Sequence, residues 1–330
     1  HYNRRGKNVN ITSSFDCDSM LSNNFTKNNK NFKAKYWGFK EEAIEKFTKQ
    51  TDVDAVISNC RSTPFIIENI ECITHKESPK PPFCTATFQQ EASSKLGLKI
   101  KDAMSCAQKL FEGIKVNGEH IGLITYMRTD STEFAPEFIT ELKTFIEATY
   151  GLAKYVGKQK KKKKGTDQDG HEALRVTDAA MTPEKLAALI DNDLLVRVYK
   201  LIWQRTIASA MPNAVISETA YTINNNGHKF TLSSKELQNA GYREVYEFED
   251  GDSLSTVPAL TTGEVLENTE LETVKKFTQP KPRYTEASLV KELQQRGIGR
   301  PSTYVTIVET ILSPTRGYTK LDDKHIVPTD

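Results

Sequence analysis

Gly122-Leu123-Ile124-Thr125-Tyr126-Met127-Arg128-Thr129-Asp130-Ser131 begins as an apolar, strand-like run and ends in a dense polar tip. The tip sets a phenol beside a guanidinium. A phenol is protonated at neutral pH and becomes a useful nucleophile only where positive charge stabilises the developing phenolate and the attacked group. Arg128 meets that need, because its planar fork stays charged and grips phosphate oxygens through paired hydrogen bonds. A plainer reading fits the same residues: Tyr126 packs on its own Arg128, and Asp130 caps the helix that follows. Spacing alone leaves both open.

Outward from this stretch the text is helical. Ala92, Leu96, Ala103, Ala107, Leu110 and Phe111 recur near helical spacing, which predicts two helices over residues 88–113 with a break near Gly97. Pro136 and Gly151 frame another helix, with Phe138, Leu142, Phe145 and Ile146 on one face. Thr182 and Pro183 open a long helix that is expected to run to about Ala210. Farther out on both sides the grammar is β. Val53 to Thr74 is rich in Val and Ile until Pro79, Pro81 and Pro82 interrupt it. After Met211-Pro212 the period becomes two, predicting strands at 214–223, 229–232, 242–248 and 263–278, with Asn225-Asn226-Gly227 as a hairpin turn. The simplest architecture is α+β and multidomain: a split β domain over 1–82 and 213–279, interrupted by a helical domain over 83–212. Residues 1–40, with Asn23-Asn24 and Asn28-Asn29-Lys30, suit a flexible, solvated loop.

The last fifty residues have a third grammar. Thr285 caps a helix carrying Ala287, Leu289, Val290 and Leu293, which stops before Gly297; Pro301 and Ser302 start a second that runs through Leu312. Gly317 to Leu321 and His325 to Val327 then flank Asp322-Asp323 like a wing hairpin. Residues 280–330 thus read as an incomplete helix-turn-helix segment of winged-helix type, a form that touches nucleic acid, although helix pairs also serve as plain packing units.

The bulk numbers exclude more than they name. Lys and Arg total 45 against 43 Asp and Glu, a formal charge of +2, so any basic surface must be local. No apolar run approaches the ~18 residues of a membrane helix, and no charged-then-apolar leader opens the chain. Because the chain starts at His1, it reads as a fragment or processed piece. Five cysteines form no C-x-x-C pair, and Cys60, Cys72 and Cys84 lack His partners at ligand spacing, so neither a disulfide framework nor a zinc site is expected. A second polar cluster, Asp169-Gly170-His171-Glu172-Ala173-Leu174-Arg175, sets His171 and Arg175 four apart, as on one helix face. The pair either holds a phosphate or forms a solvated helix start. The preceding Lys158-Gln159-Lys160-Lys161-Lys162-Lys163-Lys164 is a self-repelling loop or adds salt-sensitive attraction to a polyanion.

Three blocks in order carry a resemblance: Gly122 to Ser131; His171 to Arg175; and Glu286 to Val290 with Gly297-Ile298-Gly299-Arg300-Pro301-Ser302-Thr303-Tyr304. Together with Pro82-Phe83, Thr85, Thr87 to Ala92 and Ala107 to Gly113, they resemble the type IA DNA topoisomerases of the bacterial topoisomerase I branch, from about residue 53 to the end. The resemblance implies a gate and arch architecture in which Tyr126 attacks a single-strand phosphodiester and becomes linked to the 5′ phosphate. It further implies that Arg128 clamps the scissile phosphate and His171 contacts the DNA backbone and supports cleavage. Glu112 is expected in the active site; Gln108, Thr129, Arg175, Arg300, Ser302 and Thr303 are expected along the DNA path. Arg175-Val176 stands where the family continues Arg-Pro, and Gly170 replaces its usual alanine, which leaves the helix geometry there open.

The implied activity is ATP-independent relaxation of negatively supercoiled DNA by transient cleavage, strand passage and religation. Mg²⁺ is expected in the complete enzyme on a separate acidic fold upstream, the TOPRIM domain, so no residue of this chain is assigned to metal. Asp16-Cys17-Asp18 is not read as that site. The carboxy-terminal region is also expected to be missing, and the chain alone to bind DNA but cleave weakly or not at all. The expected partner is single-stranded or negatively supercoiled DNA, the enzyme monomeric and away from membranes. Its expected place is intracellular and chromosome-associated: cytoplasm and nucleoid in a bacterium, organelle or nucleus in a eukaryote. Two alternatives stand beside this: a non-catalytic single-stranded DNA-binding module, and a partner-dependent topoisomerase subunit.

Overall fold

The structure, a computed structural model, describes residues 17–44, 47–61, 63–116, 119–157, 172–246, 257–277 and 281–329. In chain order the elements begin with β1 (Cys17–Lys27), β2 (Lys30–Phe39), β3 (Glu42–Ala43), α1 (Gln50–Cys60), β4 (Phe65–Glu77), α2 (Thr85–Leu96), α3 (Ile100–Glu112), β5 (Ile114–Val116) and β6 (Glu119–Ile121). There follow α4 (Pro136–Tyr150), α5 (Pro183–Ala187), α6 (Asp193–Ala208), β7 (Ala214–Asn225), β8 (His228–Asn239), β9 (Val265–Phe277), α7 (Glu286–Gln295), α8 (Tyr304–Ile311), β10 (Thr319–Asp322) and β11 (His325–Pro328). They fall into two compact units, one of residues 1–75, 216–237 and 252–281, the other of 76–215, 238–251 and 282–330.

The first unit is a sheet in the order β1-β9-β4-β7-β8-β2-β3, and β1 also pairs with β2, so the sheet closes on itself as a barrel does. Closure removes the exposed edge that an open sheet of this composition would carry. The expectation of a flexible start is overturned from Cys17 on; residues 1–16 lie outside the described residues. Leu21, Asn23 and Phe25 alternate into the interior, and Asn28 and Asn29 take φ of 53° and 60°, the two left-handed positions of a tight hairpin turn. Asparagine tolerates that backbone better than most residues, so the polar cluster is a turn between strands. The β reading of residues 53–60 is also corrected. Val53, Val56 and Cys60 lie on the buried face of α1, at helical spacing, and β4 starts only at Phe65.

The interior of this unit is aromatic. Phe25 packs edge-on against Phe65 at 5.2 Å, Phe65 against Phe230 at 5.4 Å, and Phe230 against Tyr36 at 5.3 Å. Full burial of each such ring contributes roughly 2–3 kcal/mol. The hairpin at Asn226-Gly227 forms as expected, with φ of 50° and 86°. Asn225, fully buried at the end of β7, donates its amide to the carbonyls of Cys60 and Thr63 and so ties α1 to the sheet.

In the second unit α2, α3 and α6 pack together, and α7 lies on α2. The break between α2 and α3 falls at Gly97, whose φ of 69° ends α2. The long helix expected from Thr182 to Ala210 is two: Thr182 Oγ1 caps α5, and the Asn192 side chain starts α6 by accepting from Leu195 N at 3.0 Å. The strand expected at 242–248 is instead a single 3-10 turn over Gly241–Glu244; residues 247 and 248 lie outside the described residues. Gly241 permits it, since a Cβ there would stand 2.3 Å from Asn213 O while Tyr242 N donates to Pro212 O. Thr285 and Ser288 form a reciprocal capping box on α7, and Glu286 accepts from Ile100 N, capping α3 from outside. The second helix of the pair starts at Tyr304, three residues later than Pro301, and β10 and β11 form the expected hairpin about Asp322-Asp323. Among the described residues no helix is long and apolar enough to cross a membrane.

Candidate active site

Residues 123–130 run through the second unit as an irregular segment, bridged at Ile124 and bent at Met127. Met127 and Thr129 are buried, at 0% and 2% exposure, while Tyr126, Arg128 and Asp130 are exposed. The two inward side chains anchor the segment on the core, and the outward ones face solvent. Neighbouring segments pin the backbone. Ile124 pairs with Val176, Thr177 N donates to Leu123 O at 3.0 Å, and Thr125 N donates to Arg175 O at 2.9 Å. Leu174 pairs in turn with Phe83, so three stretches far apart in sequence lie side by side.

Two threonine hydroxyls lock this layer. Thr125 Oγ1 donates to Ala173 O at 2.7 Å and accepts from Arg175 N at 3.0 Å. Thr85 Oγ1, at the start of α2, donates to Met127 O at 2.7 Å and accepts from Thr129 N at 2.8 Å, and Thr85 N donates to Thr129 O at 2.9 Å. Thr129 Oγ1 then accepts from Ser131 N.

The Tyr126 ring stands edge-on to Phe111 at 5.3 Å, at the carboxy-terminal end of α3. One residue beyond Phe111 is the exposed Glu112, whose carboxylate accepts from the Gln108 amide at 2.6 Å. Phe111 thus brings the end of α3 to Tyr126, and Gln108 and Glu112 lie at that same end of the helix. Arg128 is exposed two residues from Tyr126.

The second cluster is different from its expected form. Residues 172–177 are extended, not helical, because their backbone groups pair with residues 83 and 123–125 instead of with each other. Arg175 is 8% exposed; its Nε and Nη2 reach the two oxygens of Glu172 at 2.8 and 3.0 Å, and Nη1 donates to Val176 O. The guanidinium lies 3.8 Å from the Phe138 ring centroid, and Glu172 also accepts from Ala135 N at the start of α4. The structure thus places the Arg175 guanidinium, expected along the DNA path, as a buried strut between Glu172, Val176 O and Phe138. His171 and the lysine run lie outside the described residues.

The Gly297 to Thr303 loop joins α7 to α8. Gly299 has φ of 80°, and a Cβ there would meet Ile307 Cδ1 at 2.8 Å. Arg300 N donates to Thr303 Oγ1 at 2.8 Å, and Arg300, Ser302 and Thr303 are all exposed. Tyr304 is buried. Burial, and next the Asp130 carboxylate, push its hydroxyl above the usual range.

A family model described as DNA topoisomerase matches residues 20–330. The chain belongs to the DNA topoisomerase family. Full-length topoisomerase I from Thermotoga maritima has a structure similar to this one, at a TM-score of 0.78 and 30% identity over 94% of this chain. This chain spans 49% of that one. The resemblance to bacterial topoisomerase I carried by the motifs is borne out over that span, including the Asn-rich start from residue 20, where the sequence likeness is weak.

Three residues that hold this layer together were not singled out from the sequence: Thr85, Thr125 and Glu172. Each lies inside a motif, yet nothing local shows that Thr85 meets residues 127 and 129, more than forty positions away. Among the described residues no group of three or more His, Cys, Asp or Glu fits a metal ion.

Proposed function

We propose that this chain carries the strand-cleaving portion of a type IA topoisomerase, acting on single-stranded regions of negatively supercoiled DNA. The observation that carries the reading is an exposed Tyr126, two residues from an exposed Arg128, on a backbone pinned by buried threonines. Tyr126 Oη attacks the phosphorus of a single-strand phosphodiester. The Oη–P bond forms, the P–O3′ bond breaks, and the tyrosyl proton is replaced by one on the departing 3′ oxygen. Arg128 holds the non-bridging oxygens as charge reorganises, an interaction that strengthens toward the transition state. Glu112, fixed by Gln108, is assigned to the proton. His171 is assigned to the backbone phosphate, and Arg300, Ser302 and Thr303 to the DNA strand. Thr129 and Arg175 hold the site's backbone.

The phosphotyrosine conserves the energy of the broken bond, so religation by reverse attack of the 3′ hydroxyl needs no ATP. Passage of the other strand between cleavage and religation relaxes the supercoil. The complete enzyme is proposed to act with Mg²⁺ supplied by residues other than those described, as a monomer on chromosomal DNA.

Incubating the complete protein with end-labelled single-stranded oligonucleotide and quenching in denaturant tests this. Wild type should leave a protease-sensitive covalent adduct, and Tyr126→Phe should leave none while binding the oligonucleotide nearly as well. An adduct that persists in Tyr126→Phe removes Tyr126 as nucleophile. Binding without any wild-type adduct favours a non-catalytic DNA-binding module.

A further inference from the structure

We infer that Thr85, at the start of α2, is a positioning residue for Arg128, setting the direction from which the guanidinium meets the scissile phosphate. The inference rests on the reading of Arg128 as phosphate clamp. Its own basis is geometric. Thr85 is fully buried and makes four hydrogen bonds to the backbone of the two residues flanking Arg128: its hydroxyl donates to Met127 O at 2.7 Å and to Thr129 O at 3.1 Å and accepts from Thr129 N at 2.8 Å, and its own N–H donates to Thr129 O at 2.9 Å.

These contacts enclose Arg128 without touching its side chain. With Met127 and Thr129 buried on either side, the backbone at Arg128 cannot rotate unless one of those bonds breaks. A long side chain amplifies error at its root, since a small rotation of its Cα–Cβ direction moves the guanidinium by an ångström or more. Misplacement by ~1 Å is enough to cost ~100-fold in rate. Thr85 is itself held in place. It opens α2 directly after Cys84, whose backbone N–H donates to Thr87 Oγ1 in a capping box, and Phe83 pairs with Leu174. The hydroxyl thus transmits the position of a helix terminus to an exposed loop that has no regular structure of its own.

The hydroxyl, not the bulk of the side chain, is the working part. Thr85→Val keeps the β-branched shape but strands Met127 O and Thr129 N without their partner; Thr85→Ser restores the oxygen. In the complete protein we expect Thr85→Val to lower the single-turnover rate of adduct formation by roughly ten- to a hundredfold, with oligonucleotide affinity within about threefold of wild type. Thr85→Ser should recover most of the rate. In an Arg128→Ala background Thr85→Val should add almost nothing, because the group it directs is gone.

Equal fractional losses in both backgrounds would overturn the inference and leave Thr85 as a stability residue; so would a wild-type rate in Thr85→Val. Amide exchange gives a readout independent of cleavage. The Thr129 N–H should exchange faster in Thr85→Val at conditions where both proteins stay folded, and unchanged protection sinks the proposal. Tyr126→Phe separates the two levels: an adduct surviving there defeats the catalytic reading, whereas its loss together with normal cleavage by Thr85→Val defeats only the role of Thr85.

Discussion

The barrel unit and the helical unit spend their buried groups differently. In the barrel, Phe25, Phe65, Phe230 and Tyr36 fill the interior ring against ring, and the sheet supplies its own backbone partners. Around Tyr126, buried side chains serve the backbone: Thr85, Thr125 and Arg175 satisfy carbonyls and amides of segments that belong to no long strand or helix. An apolar core stabilises without aiming anything. A seam of directed hydrogen bonds aims exposed side chains, because each bond fixes an angle as well as a distance.

That contrast is open to test, the largest effect first. Phe230→Ala should cost about 3–5 kcal/mol of stability by leaving a cavity among rings, yet leave adduct yield per folded molecule unchanged; urea unfolding beside the quench assay reads both. A loss of cleavage beyond the loss of fold would break the division of labour. Arg128→Ala should do the converse. Cleavage should fall by roughly 100- to 1,000-fold with the unfolding midpoint near wild type and DNA binding much less affected. Equal losses in binding and cleavage would make Arg128 only a tether.

Arg175 sharpens the comparison inside the helical unit. Arg175→Ala should destabilise by roughly 2 kcal/mol, since it strands Glu172 and uncovers Phe138. The salt dependence of oligonucleotide binding should not change in slope, whereas Arg300→Ala should lower that slope by about one. A reduced slope in Arg175→Ala would restore it to the DNA path.

The smallest effect is one of pH in the barrel. His228 lies 3.0 Å from the Tyr36 hydroxyl and packs against Phe39, and burial holds its pKa below the usual 6.5. Its neutral form belongs to the fold, so this contribution is complete above 6.5 and is lost as pH falls through that value toward the folded pKa. Tyr36, pushed up to about 12 by burial and then by Cys60, acts on the alkaline side: its contribution is complete below 10 and is lost as pH rises through about 12. Unfolding midpoints should therefore drop on both flanks, and His228→Gln should flatten the acid one.

Legibility followed range. The hairpin at Asn226-Gly227, the break at Gly97, the Pro136 and Gly151 ends of α4 and the Thr285 cap were all readable, because each boundary depends on residues within about one turn of it. Val53, Val56 and Cys60 were misread because a short apolar run suits helix and strand alike until its partner is known. The Asn-rich start was misread because Asn28-Asn29 marks a turn only if strands flank it. The phenol and guanidinium of the motif Tyr126 to Arg128 were visible in the sequence, while the buried threonines that pin their backbone were not.

From the residues alone came the identity of the chemistry: a phenol, a guanidinium, a carboxylate on α3 and a glycine-bounded loop, all matching one family in order. Only the tertiary structure decided that β1 pairs with β9, about 240 to 260 residues away, and that Arg175 turns inward to Glu172. It alone brought Thr85 under residues 127 and 129. Side-chain chemistry and local turns are set by neighbours in the chain. Register, burial and the choice of hydrogen-bond partner are set by which distant segments the packed core brings together.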